Sequence, residues 1–258
     1  MDTRALQWQE VARRRTGRWA AQPILYHREL DSTNTLAARL VPQQAPPGAV
    51  VVADYQYGGR GRLARRWLVE PYSALTFTVV LGPLAPAWTA PMVCGLAAVQ
   101  AIEALAMPAT LKWPNDLLVG GKKCGGILIE TKPVANASWL LAGIGINVRS
   151  VDPGLDGATY LDAHTPTPVR REDLLADLLA RLDEWGRRAE TDGDAVREAW
   201  RAHLETLGRW VAVQTPAGML EGLATAVAAD GGLIVRLADG SFRTVQAGDV
   251  TLSPRGSG

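Results

Sequence analysis

The sequence predicts an α/β (α+β) domain followed by a small antiparallel β-barrel. Three observations predict it. Between residues 24 and 207, β-branched strand-like runs are interleaved with long segments whose apolar residues recur at helical spacing, the mixture expected of a sheet covered by helices. From Arg209 the texture changes to short β-like runs separated by Pro216-Ala217-Gly218, Asp230-Gly231-Gly232 and Asp239-Gly240, the regular spacing of a small meander or barrel. Finally, 258 residues with 47% hydrophobic and 21% charged side chains suffice for one large unit and one small one without staples. The boundary is placed near Gly208, dividing 1–207 from 208–258.

The elements follow in order. Ala5, Leu6, Trp8, Val11 and Ala12 predict a short helix over 3–18 that ends in Arg13-Arg14-Arg15. Ile24-Leu25-Tyr26 predicts a strand, and Asp31-Ser32-Thr33-Asn34 offers side chains that could cap a helix through Leu40. After Pro46-Pro47-Gly48, the run Ala49 to Ala53 predicts a buried strand leading into a glycine- and arginine-rich loop, 58–66. Ala74 to Leu81 reads as a strand, Pro86 to Leu105 as a long core helix, and Thr110 to Trp113 as a strand. Leu117-Leu118-Val119, the turn Gly120-Gly121 and Lys123 to Thr131 predict a hairpin. Ser138 to Val148 is a further strand, and 171–190 and 194–207 are amphipathic helices.

Charge narrows the function classes. Lys+Arg 27 against Asp+Glu 26 gives a net charge of +1, which disfavours a general polyelectrolyte role on nucleic acid or on an anionic membrane. No stretch approaches the roughly 18 apolar residues of a membrane span. Two widely separated cysteines, Cys94 and Cys124, exclude a disulfide framework or a cysteine zinc site and make the cytoplasm the expected compartment. Within the basic set, 23 are Arg and four are Lys, and three of those four (Lys112, Lys122, Lys123) cluster. A site needing a compact ammonium cannot take the planar guanidinium instead.

Three constellations carry chemistry. In Gly58-Gly59-Arg60-Gly61-Arg62-Leu63-Ala64-Arg65-Arg66-Trp67 the glycines free backbone N–H groups and the arginines add charge-assisted donors, so a carboxylate or phosphate ligand is expected. The formal match to a dinucleotide fingerprint fails because a strand, not a helix, follows. An RNA-binding Arg/Gly segment and a merely solvated loop stand beside the anion reading. Lys112-Trp113-Pro114-Asn115-Asp116 puts an amide and a carboxylate at a turn, and the hairpin brings Lys123 back beside Gly125 and Gly126; ordinary turn chemistry would also explain Asn-Asp. The third, Gly143-Ile144-Gly145-Ile146-Asn147, suggests close approach of a ligand or another backbone. The three histidines, 27, 164 and 203, have neither metal-ligand spacing nor a Gly-x-Ser-x-Gly partner.

Taken together and in order, Asp31-Ser32-Thr33-Asn34, Gln56, Gly59-Arg60-Gly61-Arg62, Trp67, Lys112-Trp113-Pro114-Asn115-Asp116, Lys123 with Gly125-Gly126-Ile127-Leu128, and Gly143-x-Gly145-x-Asn147 resemble the biotin protein ligases. The resemblance runs from about residue 24 to the C-terminus. It implies a mixed-sheet catalytic domain and a small β-barrel. The implied activity is ATP-dependent ligation of biotin to a lysine of the biotin carboxyl carrier protein of acetyl-CoA carboxylase or a related carboxylase. The reaction would pass through biotinyl-5′-adenylate, with Mg²⁺ accompanying the nucleotide and no protein metal ligands assigned.

By the same resemblance Ser32, Thr33, Asn34, Gln56, Gly59, Arg60, Arg62, Lys123, Gly125 and Gly126 would bind biotin. Arg62, Arg65, Trp67, Lys112, Asn115, Asp116, Lys123 and Asn147 would serve the nucleotide, and Lys123, Arg60 and Arg62 would be catalytic. Family members that repress transcription carry an N-terminal winged helix. Here about twenty residues precede the first motif, so the expectation is a monofunctional ligase that binds neither DNA nor membrane, as a monomer or weak homodimer. The family pattern has Gly where this loop has Ala64, which places the loop's ordering in question. A lipoate or octanoate ligase of the same fold, a biotin sensor and an RNA-binding module are the rival readings.

Overall fold

The computed structural model describes residues 4–83, 87–152, 155–215 and 218–252. The first part comprises α1 (Trp8–Arg14), β1 (Ile24–Leu30), α2 (Thr33–Leu40), β2 (Val50–Gln56), β3 (Ala74–Gly82), α3 (Ala90–Glu103), β4 (Ala109–Lys112), β5 (Asp116–Val119), β6 (Lys122–Val134), β7 (Ala137–Asn147), α4 (Arg171–Thr191) and α5 (Gly193–Ala202). Its strands form one sheet in the order β1-β2-β3-β7-β6-β5-β4. The β1–β2 pair is parallel and the others antiparallel, so the sheet is mixed as the sequence predicts.

The two faces of this sheet are covered unequally. Val50, Val52, Leu75, Phe77, Val79, Ala142, Ile144 and Ile146 point to one face and pack with α3 and α4 in the main core. Val51, Ala53, Val80 and Leu141 point to the other, where α2 and the turn after it lie on them. Since successive strand residues alternate faces, Gly143 and Gly145 of β7 and Thr76 and Thr78 of β3 fall on this second face, beyond the reach of α2's apolar residues. That vacancy becomes the pocket.

Buried charge fastens α4 to the sheet. Arg171, at the start of α4, lies 2.8 Å from Asp54 of β2, with 2% and 1% side-chain exposure respectively. The remaining valences are satisfied: Tyr26 Oη donates to Asp54 Oδ2 at 2.5 Å, Leu6 N–H to the same carboxylate at 3.3 Å, and Arg171 Nη2 to Arg4 O at 2.6 Å. A buried ion pair persists only when its other hydrogen-bonding groups are met, and here the N-terminal segment, through Arg4 and Leu6, shares that task with Tyr26 of β1 and Ala74 of β3.

The second sheet holds β8 (Trp210–Thr215), β9 (Gly218–Val227), β10 (Leu233–Arg236), β11 (Phe242–Val245) and β12 (Asp249–Leu252). Its order is β11-β10-β9-β8-β12, antiparallel throughout. The predicted barrel is thus corrected to an open sheet: among the described residues no ladder joins β11 to β12, and both edge strands have only four residues. Val211, Val213, Ala224, Leu233 and Val235 nevertheless belong to the same continuous core as the first sheet.

Other expectations shift for local reasons. The first helix is confined to 8–14, because Arg15 leaves helical geometry and turns inward to donate to Gln22 O and Gly48 O; residue 3 lies outside the described residues. The core helix starts at Ala90 after a 3₁₀ turn at 87–89, and Pro86 lies outside the described residues, as do Pro216 and Ala217 of the predicted turn. The last helix stops at Ala202 instead of 207. The backbone beyond it is recruited by β4, with Leu111 N–H donating to His203 O at 2.8 Å and Glu205 N–H to Leu111 O at 2.9 Å. Among the described residues no helix is long and apolar enough to cross a membrane.

Candidate active site

Glycines make the floor. Gly126 of β6 pairs with Gly145 of β7, which pairs with Thr76 of β3; one step along, Leu128, Gly143 and Thr78 align. A Cβ on Gly145 would lie 2.6 Å from Trp67 Cε2, and one on Gly143 would overlap the Asn34 carboxamide. The alternating glycines therefore give room to the Trp67 and Asn34 side chains and remain part of the pocket lining. Trp67 lies across Gly145 with its Nε1 buried and unpartnered, a donor without an acceptor.

Strand β6 also carries an irregularity that aims a lysine. The β5–β6 register shifts between Leu117, opposite Gly125, and Leu118, opposite Lys123, so Cys124 is the extra residue of a bulge. Strict alternation would put Lys123 on the opposite face from Gly126. The bulge resets the count, and the Lys123 ammonium lies 3.7 Å from where a Gly126 Cβ would be. Lys123's backbone is clamped by the 157–159 segment, donating to Gly157 O at 2.8 Å and accepting from Thr159 N at 2.8 Å.

At one end of the pocket, side chains replace the predicted cap. Ser32 precedes α2 in extended geometry but makes no capping bond. Instead Gln56 Oε1 accepts from Thr33 N at 2.7 Å and Thr33 Oγ1 at 3.0 Å, which satisfies a free N–H of the first turn. Thr78 Oγ1 is within hydrogen-bond distance of Thr33 Oγ1 (2.8 Å) and Asn34 Oδ1 (2.5 Å), and Asn34 Nδ2 donates to Glu130 Oε2 at 2.6 Å.

At the other end, cations gather. Asp116 holds Lys123 Nζ at 2.6 Å on one oxygen and Lys112 Nζ at 2.9 Å on the other. Burial pushes the Asp116 carboxyl up, but the Lys123 and Lys112 ammoniums outweigh it and hold the group below the ordinary carboxylate value. Asn115 staples its turn to β6, donating through Nδ2 to Ile127 O at 2.7 Å, and its Oδ1 accepts from Arg62 Nη1 at 3.2 Å. Arg62 also reaches Gly248 O at 3.4 Å, and Arg65 pairs with Asp249 of β12. Trp113 is fully buried and donates from Nε1 to Gly231 O of the second sheet at 2.9 Å. The cavity is about 310 Å³ and is lined by six cationic side chains against two carboxylates, Asp116 and Asp249.

Models of two families match the chain: the biotin/lipoate A/B protein ligase family over residues 26–147, and the biotin protein ligase C-terminal domain over 206–253. A Paracoccus denitrificans protein named biotin–acetyl-CoA-carboxylase ligase is 33% identical over 220 residues, covering 80% of this chain and 91% of that one. A Bacillus subtilis bifunctional ligase/repressor BirA is 30% identical over 242 residues, covering 90% and 74%. The Aquifex aeolicus biotin protein ligase, solved in complex with biotin and ATP, superposes with a TM-score of 0.77 at 29% identity, covering 90% and 98%.

The chain belongs to the biotin protein ligase family. Of the residues expected from the family's motifs, Ser32, Thr33, Asn34, Gln56, Arg60, Arg62, Arg65, Trp67, Lys112, Asn115, Asp116, Lys123 and Gly126 line this one cavity. Three do not. Gly125 faces away, where a Cβ would meet Gly145 O at 2.7 Å and Leu117; Gly59 is packed under Trp67 O; and Asn147 donates from Nδ2 to Thr159 O at 3.1 Å. In the arginine loop Leu63 is left-handed (φ 52°). Sequence reasoning missed Glu130, Thr159 and the 248–249 pair, and named Arg66 only as one of the loop's arginines. Only the arginines' need for partners hinted at them.

Proposed function

We propose that this cavity is where the chain activates biotin with ATP and passes it, as biotinyl-5′-adenylate, to a lysine of a biotin carboxyl carrier domain of acetyl-CoA carboxylase or a related enzyme. The observation that carries the reading is the gradient along one cavity, from a neutral hydrogen-bonding end at Ser32, Thr33 and Gln56 to a cationic end at Lys112, Lys123 and Arg62. Biotin is such a molecule, with a neutral ureido ring and a terminal carboxylate. The neutral end takes the ring, and the glycine floor gives it room.

The chemistry requires two anions to meet. A carboxylate oxygen attacks the α-phosphorus of ATP, forming the acyl-phosphate bond as the bond to pyrophosphate breaks. Lys123 and the loop arginines offset the charge of both partners, a stabilisation that preorganised cations supply without reorganising as the reaction proceeds. Asp116 fixes both lysines while leaving a net positive charge. In the second step the carrier's lysine amine attacks the acyl carbon, AMP departs with the bonding pair, and the amine loses a proton. Arg62, Arg65, Trp67 and Asn115 serve the nucleotide side.

The pocket's donors do not fit a resident divalent ion. Both Asp116 oxygens are taken by lysines, Asp249 is paired with Arg65, and the described residues include no group of three His, Cys, Asp or Glu that could hold a metal. Mg²⁺ is therefore assigned to the nucleotide's own phosphates and water. In this reading 1–207 is the larger unit, bearing most of the pocket, and 208–258 the smaller, whose Asp249, Val250 and Thr251 complete the lining.

Pyrophosphate release from ATP, measured with biotin, lipoate or octanoate and followed by label transfer to a carrier domain, tests the proposal. Release that requires biotin, with label on the carrier lysine, is expected. Release as fast with lipoate or octanoate would move the assignment to the lipoate branch of the fold.

A further inference from the structure

Glu130 has no place in the mechanism above, yet it is the meeting point of the floor and the arginine loop. A single oxygen, Oε2, accepts from Asn34 Nδ2 at 2.6 Å and from Arg60 Nη2 at 2.8 Å. The first donor is immobile. Asn34 is 3% exposed, engages Thr78 through its Oδ1, and sits over Gly143 where a Cβ would displace it. The second donor belongs to the loop. We propose that Glu130 is a positioning residue for Arg60, holding the guanidinium over the pocket so that the adenylate is retained.

Three observations favour positioning over competition with substrate. Glu130 lies outside the lining of the cavity, whereas Arg60 belongs to it. On the outer side of the loop, Glu130 and Arg60 together border a shallow cleft with Leu128, so the carboxylate pulls from behind. Among the described residues Nη2 alone of the guanidinium is engaged, which leaves the other N–H groups of a five-donor fork for an anion inside. The loop's remaining side-chain ties lie elsewhere: Arg62 and Arg65 hold Asn115, Gly248 and Asp249, and Arg66 donates to Tyr57 O. Glu130 therefore ties the Arg60 end of the loop to the first sheet.

The pair is half-exposed, with 46% and 30% side-chain exposure, and exposed pairs add little to stability. Its effect is expected in ligand retention rather than in melting temperature. The inference rests on the proposed function, and the experiment separates the two. Wild type is first loaded by biotin-dependent pyrophosphate release, and the escape of labelled biotinyl-adenylate is then timed without acceptor. Failure to load would overturn the functional reading alone.

Glu130→Gln keeps an acceptor for Asn34 and removes the charge. Escape about tenfold faster than wild type is expected, with single-turnover transfer to the carrier within twofold. In an Arg60→Ala background the same substitution should change escape by less than twofold. Glu130→Asp, which keeps the charge but shortens the reach, should be intermediate and serves if Glu130→Gln does not fold. Escape at the wild-type rate from the folded variant, or an undiminished effect in the Arg60→Ala background, would overturn the proposal.

Discussion

Lys123 shows how much one side chain's shape matters. Its ammonium sits 2.6 Å from one Asp116 oxygen while Lys112 takes the other. A guanidinium in its place would engage both oxygens with its planar fork and evict Lys112. Lys123→Arg should therefore fail nearly as badly as Lys123→Ala. We expect a loss of about 3–4 kcal/mol of transition-state stabilisation, on the order of a hundredfold or more in pyrophosphate release at saturating biotin; a rate within a few fold of wild type would reduce Lys123 to generic charge. Asp116 adds a pH signature. Its carboxyl is lowered from 3.8, so its charged form contributes stability that is present above that value and lost as pH falls through the lowered one. Denaturation of wild type and Asp116→Asn should show a constant gap from about pH 8 to 5 that shrinks below about pH 4. The sequence made the lysines visible through their rarity, but it could not show that one carboxylate serves both. By contrast, burial pushes the Cys94 and Cys124 thiols up to about 12, which leaves them unreactive at neutral pH.

At the scale of elements, alternation explains both what was legible and what was hidden. The β2, β3 and β7 runs could be read from their apolar patterns, and the hairpin from Gly120-Gly121, because those signals are local. The bulge at Cys124 adds one residue without altering composition, so no periodicity reveals that Lys123 and Gly126 share a face. Residues 203–205 carry a helical pattern but spend their backbone on β4, a long-range hydrogen bond that propensity does not weigh. Glu130 looks like an ordinary strand carboxylate, and its partners lie 96 and 70 residues away. Glycine spacing on β7 was legible as a demand for room, though not as room for Asn34 and Trp67. Gly145→Val tests that demand directly: its Cβ would meet the Trp67 indole at 2.6 Å. Overpacking of this kind costs about 1–3 kcal/mol. A lowered melting temperature and a biotin affinity reduced at least tenfold are expected by calorimetry; unchanged affinity would mean that Trp67 can move without consequence.

For the whole molecule, the site is a joint product of both sheets. Trp113, beside Lys112, hangs on Gly231, and two loop arginines are held by Gly248 and Asp249. Ending the chain at Gly208 should abolish biotin-dependent pyrophosphate release. It should also lower the melting temperature, since Val211, Val213 and Val235 are part of the shared core; full turnover by the truncated chain would make the second sheet a passenger. The loop's partners at the entry to β12, Gly248 and Asp249, stand 186 and 184 residues downstream of Arg62 and Arg65. On a ribosome adding about 5–20 residues per second, that interval lasts roughly ten to forty seconds. Throughout it the nascent chain carries the arginine loop without these two anchors, and Trp113, once made, waits a further 118 residues for Gly231 to receive its N–H. Ligase activity is therefore a property of the last strand's arrival: chains abandoned during synthesis before β12 are expected to form no activated acyl group, so they have none to spill onto whatever amines lie nearby.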